Sequence, residues 1–88
     1  MPAETDAKRA LDLIEASGFS MNADCEAAHE IAQAHEGEKL FDAIHALVHR
    51  IEGDTWNASY WDRRAGTDFG GEGHVAELAK LRALADSD

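Results

Sequence analysis

The sequence predicts an all-α fold, a single small domain of four to five short helices with a central antiparallel helical hairpin. Three observations predict it. Apolar residues recur at three- and four-residue intervals within each long segment, and a glycine or capping residue closes each one. Nowhere do β-branched and aromatic residues alternate for five positions, so strands are not expected.

The first helix is expected from about Thr5 to Ala16, with Ala7, Ala10, Leu11 and Ile14 forming a narrow apolar stripe. Glu4 and Asp6 sit in its first turn, where the helix dipole favours anions. Gly18 is placed to cap it in the left-handed conformation, with Phe19 folding back on the last turn. Asn22 is a good N-cap for a second helix over about 23–36, whose inner side carries Cys25, Ala28, Ile31, Ala32 and His35. The third, about Glu38 to Glu52, has the broadest apolar face: Leu40, Phe41, Ile44, Leu47, Val48 and Ile51. It is expected to be central. Gly53-Asp54 makes a tight turn, because glycine reaches left-handed dihedrals and Asp54 can cap the next helix.

A fourth helix, about Thr55 to Ala65, turns Ala58, Trp61 and Ala65 inward and ends at Gly66. The segment from Thr67 to Gly73 reads as a mobile polar loop, since its glycines lack the Lys-Ser/Thr of a phosphate loop. A fifth helix, about His74 to Ala85, presents Val75, Leu78, Leu81, Arg82 and Ala85. The acidic tail 86–88 is expected to fray.

With 88 residues there is chain for one core. Much of the apolar content is alanine, which packs closely but buries little, so a homodimer would supply missing burial. Eighteen acidic against eight basic residues give a formal charge of −10, a field that repels nucleic acid and anionic membranes. There is no membrane-length apolar run, and the first twenty residues lack a signal-peptide core. Cys25 has no cysteine partner, which fits a reducing cytoplasm. It reads as a small buried apolar residue.

The stretch from His45 to Gly66 holds both tryptophans, the tyrosine, two of the five histidines and three of the eight basic residues. Within it, His49, Arg50, Glu52, Gly53, Asp54, Asn57, Ala58, Tyr60, Trp61, Arg63, Arg64, Ala65 and Gly66 form an extended pattern. On these residues the chain resembles a group of small uncharacterised bacterial all-helical proteins, over about the central half of its length. Asp62 departs from that pattern, which often has an aromatic there. The resemblance implies no activity. The same helix, Gly-Asp turn and helix is also similar to a single tetratricopeptide-type hairpin, which by analogy implies a protein-interaction role.

Three constellations could carry chemistry. Asp42, His45, His49 and Glu52 share one stripe of the third helix, and His45 and His49 have a spacing at which two imidazoles reach one metal. Glu26 and His29 repeat the carboxylate-x-x-histidine spacing of Asp42 and His45, as in helical-bundle di-iron sites. The candidate metal ligands are therefore Glu26, His29, Asp42, His45 and His49, and a metal ion is the one cofactor suggested. The plainer expectation is that such histidines simply hydrogen-bond carboxylates or carbonyls.

Arg50, Arg63 and Arg64, with His45, His49 and Tyr60, form the second constellation, a candidate pocket for a small carboxylate or phosphate. Against it stands pairing of those arginines with Glu52, Asp54 and Asp62. The third is aromatic: Trp56, Tyr60 and Trp61 are candidate interface residues. Trp61 is expected to anchor the core against Phe41 or Leu47, and Trp56 to be partly buried at the helix start. The leading functional expectation is a non-enzymatic interaction module or homodimer. The alternative is a small-anion or metal-binding protein, for which the sequence names no reaction.

Overall fold

The computed structural model describes the backbone of residues 3–86 and the side chains of residues 5–86. The fold is all-α. Five α-helices follow one another: α1 (Ala3–Ala16), α2 (Ala23–Ala34), α3 (Lys39–Ile51), α4 (Thr55–Ala65) and α5 (His74–Asp86), with a short 3₁₀ turn at Gly70–Glu72 before the last. Of the acidic tail expected to fray, Asp86 ends α5, and residues 87–88 lie outside the described residues.

Helix α3 is central, buried around most of its circumference. Every residue from Phe41 to Val48 is buried, and α3 packs against α1, α2, α4 and α5. The shared core joins Leu11 and Ile14 of α1, Ala28 and Ala32 of α2, Ile44 and Leu47 of α3, and Leu78 and Leu81 of α5. Small alanines on α1, α2 and α4 let these helices approach closely.

Local signals end the helices where the sequence places them. Gly18 (φ 66°) and Phe19 (φ 57°) both adopt left-handed dihedrals after α1, and Phe19 returns to pack on the core. The Asn22 side chain accepts from the Cys25 backbone N–H and donates to the Ser17 carbonyl, so one residue starts α2 and ties it to the end of α1. Gly53 (φ 81°) turns the chain out of α3, and the Asp54 carboxylate accepts from the Asn57 N–H to start α4. Cross-contacts then run in opposite order along the two helices: Asp42 with Arg64, His45 with Trp61, His49 with Asp54. That order makes α3 and α4 an antiparallel pair.

Four details differ from expectation. Val75 is 71% exposed, and the acidic Glu77 is buried in its stead, 1% exposed. Arg82, expected on the packed face of α5, is half-buried and reaches Asp12 and Glu15 of α1. Trp56 is 72% exposed and not partly buried. The glycine segment is not plain loop. Gly70 presses on the Arg50 guanidinium, and a Cβ there would lie 2.6 Å from Arg50 Cζ.

The Arg50 contact explains Glu77. The guanidinium donates from Nε and Nη2 to Glu77 (2.9 and 2.6 Å) and from Nη1 and Nη2 to Asp62 (3.0 and 3.2 Å). These charge-assisted bonds, those to Glu77 foremost, raise the Arg50 pKa above its ordinary value and hold α3, α4 and α5 together.

No helix among the described residues is long and apolar enough to cross a membrane.

Candidate metal centre

Burial and helix periodicity bring three histidines together. His45 and His49 are one turn apart on α3, so their rings stack, with centroids 4.9 Å apart and planes 13° from parallel. His29 projects from α2 across the α2–α3 groove and meets both edge-on, at 4.6 Å from His45 and 5.0 Å from His49. One ligand atom from each of the three lies within 4.8 Å of the others. The Nε2 atoms of His29 and His45 are 2.9 Å apart, so one ring donates and the other accepts.

The surroundings disfavour the charged forms of His45 and His29. His45 is buried (3% exposed), its ring stacked on the Trp61 indole at 3.9 Å and 15°. Burial, then the charges of His29 and His49, push its pKa down from 6.5 to about 3. Burial, then His49, also lowers the His29 pKa, against the opposing pull of Glu52. Neutral imidazole is the form that binds metals. Two buried ring nitrogens here, Nδ1 of His45 and Nδ1 of His49, have no hydrogen-bond partner. Each such atom costs about 1–3 kcal/mol.

Glu52, in the last turn of the α3 stripe, sits between two of the rings. Its Oε2 is 3.8 Å from His29 Nδ1 and its Oε1 is 3.4 Å from His49 Nδ1. The second approach is within ion-pair distance but off the hydrogen-bonding direction, which is why His49 Nδ1 still counts as unpartnered. Asp54 Oδ2 stands 3.8 Å from the same nitrogen, and the Asn57 hydrogen bonds depress the Asp54 pKa. Beyond His29 and Glu52 opens a cavity of about 280 Å³, also lined by Met21, Asn22, Cys25 and Glu26. Cys25 is buried, and burial, then Glu52 and Glu26, push its thiol pKa up.

The predicted ligands therefore separate. His29, His45 and His49 converge, whereas Asp42 does not join them. Its buried carboxylate accepts from the Gly37 N–H at 3.1 Å, fixing the loop into α3, and approaches Arg64 at 3.9 Å. Glu26 stays at the surface, on the cavity beside Cys25. The repeated carboxylate-x-x-histidine spacing thus joins two imidazoles without joining two carboxylates, which departs from a di-iron pattern.

The arginines separate in the same way. Arg50 is committed to Glu77 and Asp62, Arg64 donates to the Tyr60 hydroxyl at 3.1 Å and lies over the Trp61 ring, and Arg63 is exposed. They do not gather around His45 and His49 as an anion pocket requires. Trp61 is buried as expected, but its ring partners are His45 and Tyr60. Trp56 stacks outside on Tyr60, with centroids 6.3 Å apart.

Sequence reasoning missed Gln33, whose amide lies 3.4 Å from His29 Nε2. Its i+4 relation to His29 was the available signal. No family model, curated protein or solved structure matches this chain, so the site's own geometry decides what it can do.

Proposed function

We propose that this protein binds a divalent transition metal, with His29, His45 and His49 as its ligands. One observation carries the reading: three imidazoles from two helices converge with donor atoms within 4.8 Å, where burial disfavours the charged forms of His29 and His45. A tetrahedral ion with metal–nitrogen distances near 2.0–2.1 Å sets its ligand atoms about 3.3 Å apart. The 2.9 Å His29–His45 contact therefore opens slightly and the widest pair closes by ring rotation. Imidazole donors suit zinc, cobalt, nickel and copper over magnesium or calcium.

Chelator-stripped protein titrated with zinc in a calorimeter should bind one equivalent and gain thermal stability. His29→Gln, a half-buried position whose loss leaves the core intact, should weaken binding at least tenfold. Absence of both heat and thermal shift at micromolar zinc would overturn the proposal.

A second reading concerns the opposite side of α4. Trp56 is 72% exposed and stacked on the half-buried Tyr60, and an exposed tryptophan is a frequent protein-interface anchor, a homodimer included. Light scattering on the wild type and Trp56→Ala tests it. A mass that falls from dimer to monomer in the variant supports this surface, and a monomeric wild type removes the homodimer.

A further inference from the structure

We infer, building on the metal-binding reading, that the ion is held by three imidazole Nε2 atoms alone. It then keeps a fourth coordination position open to solvent beside Gln33, where water or a small anion binds.

The two edges of the His29 ring carry the inference. Its Nδ1 faces Glu52 at 3.8 Å, and its Nε2 faces His45 Nε2 at 2.9 Å. Glu52 therefore stands on the edge away from the point where the imidazoles meet. For His49, Nδ1 is again the atom turned toward Glu52 and toward Asp54, at 3.4 and 3.8 Å, which leaves Nε2 for the ion. A carboxylate behind the distal nitrogen of a ligating histidine favours, through its charge, the tautomer with its proton there and raises the basicity of the ring. Glu52 stands within ion-pair reach of both Nδ1 atoms, though hydrogen-bonded to neither. One carboxylate serving two rings makes Glu52 a positioning residue outside the coordination sphere.

Nor does another strong ligand complete the set. The rings of His49 and Trp61 lie against His45, and neither indole nor an aromatic face ligates a divalent ion. At the His29 Nε2 edge stands Gln33, an exposed side chain with a neutral amide, which suits borderline ions poorly. Because Gln33 is at the surface, this edge meets solvent.

Three neutral nitrogens leave the full double charge on the ion, so the fourth position favours hydroxide or a small anion over a cation. Sites with three protein ligands and one exchangeable position are the kind that activate a bound water.

Cobalt(II) alone, added to the stripped full chain, gives a visible spectrum that reads coordination directly. Wild type should take up one cobalt with a four-coordinate spectrum, and sodium azide should change that spectrum saturably. Gln33→Ala should keep both responses. Glu52→Gln should bind cobalt about 10–100-fold more weakly while its band positions stay put, as expected for a second layer, with far-UV circular dichroism confirming the fold. A wild-type spectrum indifferent to azide, or band positions that move in Glu52→Gln, would overturn the open position and leave metal binding standing. Failure to take up cobalt or zinc at all would overturn both.

Discussion

Acid should destabilise the metal-free protein in large part through His45, and replacing that residue should remove its share of the effect. The imidazole titrates at about 3 in the folded chain, against 6.5 when free of its burial and its neighbours. Between those values the unfolded chain holds a proton that the folded chain does not, so stability rises with pH and is lost as pH falls from 6.5 toward 3. One proton corresponds to about 1.4 kcal/mol per pH unit, hence about 2 kcal/mol by pH 5 and about 5 kcal/mol across the window. For a chain this small that is a large part of the total, which runs to about 5–10 kcal/mol.

His35 acts in the opposite sense. Its hydrogen bonds to Asp6 and Glu38 raise its pKa, so its stabilisation is present in acid and lost as pH rises through the folded value. The informative quantity is therefore the difference between wild type and His45→Phe, a variant that retains a flat ring against Trp61. Urea unfolding followed by circular dichroism with chelator present, at several pH values from 7.5 to 5, supplies it. Equal pH slopes in the two proteins would refute this account of His45.

The same contacts set three further outcomes. Arg50→Met strands the buried Glu77 carboxylate and should cost about 3–5 kcal/mol in denaturant unfolding, whereas Arg50→Met combined with Glu77→Leu should recover much of the loss. Gly70→Ala pushes a methyl into the pinned guanidinium and should cost about 1–3 kcal/mol, while Gly71→Ala, which meets nothing within 4 Å, should be nearly neutral in the same assay. His35→Gln should lower the melting temperature more at pH 5.5 than at pH 8, since only the protonated imidazole bonds both carboxylates as a double donor.

The helices were legible because their signals are local. Asn22, Gly53, Asp54 and Gly66 each cap a neighbour within a few residues, and the α3 face repeats within thirteen positions. The histidine cluster was half legible. The i, i+4 pair and His29 are visible in the sequence, but which partner each faces depends on how α2 docks on α3, and no periodicity encodes that. Asp42 shares the stripe with His45 yet sits at the start of α3, where the Gly37 N–H claims it. Glu77 was not legible as a core residue at all. Its burial rests on Arg50, twenty-seven positions earlier, and on a glycine whose missing side chain makes room for the guanidinium.

Trp61 lies flat on His45 while Trp56 stands in water. The two indoles are therefore separable by emission: iodide silences the outer one, and the shielded one remains. Cobalt or copper held by His45 would extinguish that remaining light, and zinc would not, because only open-shell ions drain an excited indole efficiently. The chain thus carries an unlabelled optical gauge of its own histidine cluster, usable on dilute samples and in competition with any chelator of known strength.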